Sequence, residues 1–272
     1  MKLRWHDELA GFRARAWPLL AADPVRHTVA LTALDGLLRG EPAETLVTVD
    51  EDGELVGAAL RAAGRRVVLA VPVRAAAPLA ELLATADAEL PGAFGAVDVV
   101  EAFAAAWTAG TGGEIGGTVT QRLFVLGELV EPVGVAGGAR HACDADAELV
   151  ARWRAAFAAE ALHEQPETPA GKPEPVDPGV LVWELRGVPV ALACARAPQA
   201  GMSRIGPVYT PPEQRGHGYA PAVTAAATRF ARQAGATDVV LFTDLSNPVS
   251  NRIYPRLGFR PVGDYREVAL AR

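Results

Sequence analysis

The stretch Arg215-Gly216-His217-Gly218-Tyr219-Ala220-Pro221 decides how this chain folds, because it joins a β-rich run, Ser203 to Tyr209, to an alanine-rich run, Tyr219 to Ala234. The branched and aromatic residues of the first run favour a strand, and the second favours a helix that Gly235 stops. Two glycines at the junction let the backbone turn sharply and aim several N–H groups at one point, and the helix start adds the positive end of its dipole. A phosphate fits such a junction. Pro221 falls in the first helical turn, where its missing N–H costs little. A bare pair of glycines also serves turn geometry alone, so a phosphate site needs a second motif nearby.

That second motif lies beyond one helix and the strand Val239 to Thr243: Asn247-Pro248-Val249-Ser250-Asn251-Arg252-Ile253-Tyr254-Pro255-Arg256-Leu257-Gly258-Phe259. In order and spacing the two stretches resemble the R-x-x-G-x-A loop and the N-x-x-x-x-x-x-Y-x-x-x-G-F segment of the GNAT superfamily of N-acetyltransferases, over roughly residues 140–272. The resemblance implies an α/β fold with a mixed, mostly antiparallel central sheet and flanking helices, and transfer of an acetyl group from acetyl-CoA to a primary amine without a metal. Matched residue by residue, it implies that Val208, Tyr209 and Thr210 pair with the pantetheine arm. Arg215, Gly216, His217, Gly218, Tyr219 and Ala220 match the pyrophosphate loop, Asn247 an asparagine that touches the cosubstrate, and Tyr254 the general acid beside the thioester sulfur. Elementary chemistry agrees on the last: an expelled thiolate needs a proton, and a phenol with an ordinary pKa of about 10 can supply it. The other reading of Tyr254 is an amphipathic core tyrosine on a short helix.

Two departures stand out. Pro255 directly follows Tyr254 and removes a helical hydrogen bond, so the helix is expected to kink or end there. Histone-type members of the superfamily carry a glutamate base eleven residues before the loop, where this chain has Arg204. The general base is thus open among Glu184 on a strand and Glu160, His163 and Glu164 near a helix end, each of which also reads as an ordinary charged surface residue. Arg204 suits either a structural salt bridge or a bidentate grip on a substrate carboxylate. Trp153, Phe157 and Trp183 recur with the apolar period and read as core.

Outward from the two motifs, Ala147 to Leu162 reads as an amphipathic helix, and the proline-rich run Pro166 to Pro178 as a loop. Strands Val180 to Leu185 and Val188 to Ala195 then form a hairpin through Arg186-Gly187, and a last strand spans Arg266 to Leu270. Glu131-Pro132-Val133-Gly134-Val135-Ala136-Gly137-Gly138 has the composition of a linker, which sets domains at 1–135 and 136–272. The first half repeats the order faintly: strands Thr45 to Val49, Leu55 to Leu60 and Val67 to Val71, helix Pro78 to Glu89, strand Ala96 to Val100 and helix Glu101 to Trp107. Between Val71 and Pro78 it has no glycine, so it reads as a degenerate GNAT-like domain without a CoA loop.

Composition bounds the rest. With 272 residues, half of them hydrophobic, and a formal charge of −6, the chain has the make-up of two globular domains. Only Lys2 and Lys172 are lysines, so no lysine-rich tail exists for nucleic acid or an acidic membrane. Cys143 and Cys194 are too few for a disulfide scaffold, and Met1 to Glu8 lacks the apolar core of a signal peptide, which together set the expectation of a cytoplasmic protein. Residues 1–135 carry a net −7 and 136–272 a net +1. The acidic first half suits contact with the other half, an oligomer partner, or a cationic substrate. The acceptor is then a small-molecule or protein amine; the rival reading is a non-catalytic acyl-CoA-binding module that regulates or docks.

Overall fold

The hydrophobic spacing is realised as twelve strands and seven helices among the described residues, which in this computed structural model are 1–86, 90–161 and 175–271. In chain order the first half gives β1 (Lys2–Trp5), α1 (Leu9–Ala22), α2 (Thr28–Leu38), β2 (Ala43–Glu51), β3 (Glu54–Ala62), β4 (Val67–Ala70), α3 (Val73–Ala86), β5 (Gly92–Ala96), α4 (Val97–Thr111) and β6 (Glu114–Leu126). The second half gives β7 (Gly138–His141), α5 (Ala147–Ala161), β8 (Val180–Leu185), β9 (Val188–Ala195), β10 (Met202–Tyr209), α6 (Tyr219–Gln233), β11 (Asp238–Asp244), α7 (Ser250–Arg256) and β12 (Phe259–Ala271). Pairing is parallel at β4–β5 and β10–β11 and antiparallel along β1–β2–β3–β4, at β5–β12 and along β7–β8–β9–β10. The fold is therefore α/β with a mixed, mostly antiparallel sheet.

Contacts divide the chain into two units, Met1–Arg122 with Val262–Arg272, and Leu123–Pro261. The divisions fall within β6 and β12, whereas the composition of residues 131–138 suggested a boundary at 135. Small, flexible residues report a loop there, and that loop lies inside the second unit. In the first unit the strand order is β1-β2-β3-β4-β5-β12-β6, so a strand from the far end of the chain closes its sheet. Val268 and Leu270 of β12 pack in that unit's core with Val47, Leu69, Leu79 and Trp107.

The second unit has the order β6-β11-β10-β9-β8-β7. Alternation sorts its strands onto two faces. Leu181, Ala193, Ile205 and Leu241 meet α6 through Tyr219, Val223 and Ala227, while Val182, Leu192, Cys194 and Tyr209 meet α5 through Val150 and Trp153. Small alanines let α6 lie close to the sheet, and each fully buried valine or leucine contributes roughly 1.5–3 kcal/mol.

Several expectations change in the first half. The run Ala96 to Val100 is not a strand: β5 ends at Ala96 and α4 starts at Val97, because Val99, Val100, Phe103, Ala104 and Trp107 are buried at helical spacing. The helix placed at Pro78 begins at Val73, with Pro78 inside it. β1, α1, α2 and β6 escaped the sequence reading, and β12 extends well before Arg266.

Candidate active site

β10 and β11 part towards their C-terminal ends, and the gap between the separated ends is the candidate cleft. Their parallel pairing runs from Met202↔Asp238 to Ile205↔Leu241 and stops, although β10 continues to Tyr209 and β11 to Asp244. On its other side β10 stays paired to β9, with a bulge between Ile205 and Val208 that bends it away. Val208 and Tyr209 thus occupy the splayed end of the strand. At its mouth Thr210 Oγ1 is buried with no hydrogen-bond partner among the described residues. An orphaned hydroxyl at a strand end invites a ligand group that can pair with it.

The glycine junction closes this end of the cleft. Residues 212–214 form one 3₁₀ turn, Gly216 and Gly218 take φ of +84° and +83°, and Gly218 caps α6 in the left-handed conformation. The N–H groups of Gly216, His217, Gly218, Tyr219 and Ala220 have no partner among the described residues; the first backbone bond of α6 runs from Ala222 to the Gly218 carbonyl at 3.3 Å. Five successive donors and a helix start make a concentrated anion cradle. Arg215 serves differently from the simplest phosphate clamp: its Nε donates to the Thr210 carbonyl at 2.9 Å and its Nη2 to Glu160 Oε2 at 2.6 Å. Tyr209 donates its hydroxyl to Glu160 Oε1 at 3.1 Å, and burial first, then Glu160, pushes its pKa up. The loop is therefore tied to the end of α5. His217 stacks on Tyr219 at 5.4 Å.

Beyond β11, the turn into α7 is built by two asparagines. Asn247 Oδ1 accepts the N–H groups of Val249 and Ser250, at 3.1 and 3.2 Å, so its oxygen starts the helix and leaves Nδ2 without a partner among the described residues. Asn251 was missed by sequence reasoning. It accepts the Thr243 hydroxyl at 2.6 Å and donates to the carbonyls of Asp244 and Leu245, locking the end of β11 to α7. Its signal was its place three residues before Tyr254, on the same helical face. Tyr254 is buried among the residues that meet α6, its ring edge-on to Phe259 at 6.1 Å. Its hydroxyl makes no hydrogen bond to a described residue, and burial pushes its pKa up to about 12. Pro255 does not stop the helix, which continues to Arg256; Gly258 at φ +92° ends the turn, where a Cβ would stand 1.8 Å from the Glu128 carbonyl oxygen.

The base candidates separate. Glu160 stands at the cleft, engaged by Tyr209 and Arg215. Glu184 does not: it pairs at 2.6 Å with Arg140, which also grips Asp146 in two bonds beside β7. His163 and Glu164 lie outside the described residues, as does most of the 166–178 run.

The first unit repeats the parallel pair, Val67↔Ala93 to Leu69↔Gly95, and a cavity of about 280 Å³ opens there between Leu69, Pro72, Phe94 and Tyr265. Strand and helix are joined there by Val71-Pro72 alone, without a glycine junction.

These features agree with what comparison finds. A sequence model of the acetyltransferase (GNAT) family matches residues 147–259. A search of curated proteins gives no match. The solved structure of a GCN5-related N-acetyltransferase from Kribbella flavida is 24% identical, with TM-score 0.60 over 88% of this chain and 93% of its own. A GCN5-related N-acetyltransferase from Sphaerobacter thermophilus is 19% identical, with TM-score 0.57 over 100% and 95%. A tandem GNAT protein from the clavulanic acid biosynthesis pathway is 16% identical, with TM-score 0.53 over 99% and 98%. The chain as a whole has the fold of these proteins, and residues 147–259, which match the model of the acetyltransferase (GNAT) family, contain the splayed strand, the glycine junction and Tyr254.

Proposed function

We propose that the second unit moves an acetyl group from acetyl-CoA to a primary amine, with the cosubstrate held along Val208, Tyr209 and Thr210 and over residues 215–220. The run of unpartnered N–H groups from Gly216 to Ala220 carries this reading. It presents more phosphate-directed donors than a turn of the chain needs for its own geometry. Acetyl-CoA would supply the activated acyl group as a thioester. Thr210 Oγ1 and the open edge of β10 offer partners to its amide arm, and Asn247 Nδ2 borders the same end of β11. Burial raises the pKa of Tyr254, which keeps its hydroxyl protonated across the working pH range and makes it a weaker acid than a free phenol; it can donate a hydrogen bond, and then its proton, to a thiolate as that group departs. Of the described base candidates Glu160 alone borders the cleft, already engaged, so the acceptor would enter as the neutral amine. Calorimetry should give one CoA site per chain, and thiol release from acetyl-CoA should rise on adding an amine acceptor. Two CoA sites, or none, would sink the reading.

One observation favours a second reading, a non-catalytic acyl-CoA-binding module: where histone-type relatives carry a base on β10 this chain has Arg204, and Glu160 is held by two partners. Thiol release separates the two. A protein that binds acetyl-CoA yet releases no thiol, with or without amines, is a binder.

A further inference from the structure

Arg196, the residue that follows β9, and Arg204 of β10 stand directly opposite one another. Ile205 pairs with Ala195, and the Arg196 N–H donates to the Arg204 carbonyl at 3.0 Å. Ala195 and Ile205 face α6, so by alternation Arg196 and Arg204 stand on the other face, with Cys194 and Leu192 beneath α5. From α5, Nη2 of Arg154 comes within 3.6 Å of Cys194 Sγ on that face. Three guanidinium groups therefore share one patch on the strand that also carries Val208 and Tyr209.

Like charges directly across a strand pair are destabilising unless something compensates them. Among the described residues none of the three has a carboxylate within ion-pair distance, although Arg140, Arg215 and Arg229 of the same unit all do. Asp177, the acid whose charge reaches Cys194, accepts the Gly179 N–H at its Oδ1, at 2.7 Å. Burial, and after it the charge of Arg196, pushes the Arg204 guanidinium down to about 9, the reverse of Arg140, which its two carboxylates raise. Arginine nonetheless keeps its charge in proteins, so the patch lacks an anion. The rigid fork of a guanidinium selects planar, bidentate oxyanions, and carboxylate is the one that an amine substrate commonly brings.

We propose that Arg204, flanked by Arg196 and Arg154, forms a carboxylate subsite for the acceptor, so that the amine acetylated by this protein is one that also carries a carboxylate. This rests on the reading of the β10 cleft as the acyl-transfer site, and it makes Arg204 a specificity residue standing where relatives place a base.

The test is calorimetry on the full chain with CoA present, titrating product analogues in pairs that differ by the carboxylate: N-acetylphenylalanine against N-acetylphenethylamine, N-acetylhistidine against N-acetylhistamine, and N-acetylglycine against N-methylacetamide. In at least one pair the acid should bind about 10- to 100-fold more tightly, the worth of hydrogen bonds to a charged group. That preference should vanish in Arg204→Gln, weaken in Arg196→Gln and survive in part in Arg204→Lys. Arg196 is exposed, so its variant keeps the test open if Arg204→Gln fails to fold. Equal binding within every pair, or a preference that survives both glutamine variants, overturns the proposal. The wild-type CoA titration keeps the two readings apart: CoA binding without acid preference sinks the subsite alone, whereas no CoA binding sinks the cleft beneath it.

Discussion

A single backbone angle makes the sharpest demand on the site. Gly218 sits at φ +83°, and a Cβ there would stand 3.3 Å from Val135 Cγ2, so any side chain both strains the turn and presses on the loop before β7. Gly218→Val should lower CoA affinity about 5- to 100-fold, the range for forcing a residue into a sparsely populated conformation, while far-ultraviolet circular dichroism stays native. Unchanged affinity in a folded variant would place the phosphates elsewhere. Tyr254 makes the complementary demand on chemistry. Its hydroxyl bonds to no described residue, so Tyr254→Phe removes a proton donor and little packing. CoA affinity and melting temperature should hold, while acyl transfer, read as thiol release, slows by about 100- to 10⁴-fold. Wild-type turnover in this variant would mean that solvent protonates the thiolate.

At the scale of elements, the start of α5 hangs on one ion-pair network. Arg140 grips Asp146 and holds its carboxyl down to about 2, and Asp146 Oδ2 also accepts the Cys143 N–H at 2.9 Å. A depressed carboxyl contributes its stability in full above its ordinary pKa and loses it as pH falls. Melting temperature should therefore drop between about pH 4 and pH 2, and Asp146→Asn should flatten that limb while lowering the neutral-pH value. An unaltered acid limb in the variant would assign the loss to other carboxylates. These elements also show what the sequence could and could not carry. The strands and helix around residues 180–234 were legible because apolar alternation, glycine junction and alanine run all pointed the same way. β5, made of Gly92-Ala93-Phe94-Gly95-Ala96, was not, since it lacks β-branched residues and borrows its stability from neighbours on both sides. At the candidate site, the glycine junction and Tyr254 lay in local spacing. The ties from Glu160 to Tyr209 and Arg215, and of Asn251 to the end of β11, depend on side chains meeting across the fold, which no spacing reports.

At the scale of the molecule, the two halves of the chain are not the two units of the structure. The first unit takes 262–272, whose Val268 and Leu270 are buried in its core and whose strand pairs with β5 from Tyr265↔Ala96 to Ala269↔Gly92. The second takes 123–135, whose Phe124 is buried in its core with Leu126, Leu129 and Val135 packed around it. A cut at 136, where the composition looks like a linker, therefore damages both. It strips Phe124, Leu126, Leu129 and Val135, with the buried Leu123, from the second unit and leaves the end of β12 without β5 and β6, its neighbours in the sheet. Losing one buried phenylalanine alone costs about 3–5 kcal/mol, so residues 136–272 expressed without the rest should be poorly soluble, or melt at least about 10 °C below the full chain. Exposed Val268 and Leu270 would add an apolar edge open to aggregation. Extending the fragment to 123–272 should recover part of the melting temperature, since it restores Phe124 and its neighbours but not β5. A soluble 136–272 fragment that melts with the full chain and releases thiol from acetyl-CoA at the full rate would make the first half an independent module, and the exchange of end segments structurally idle.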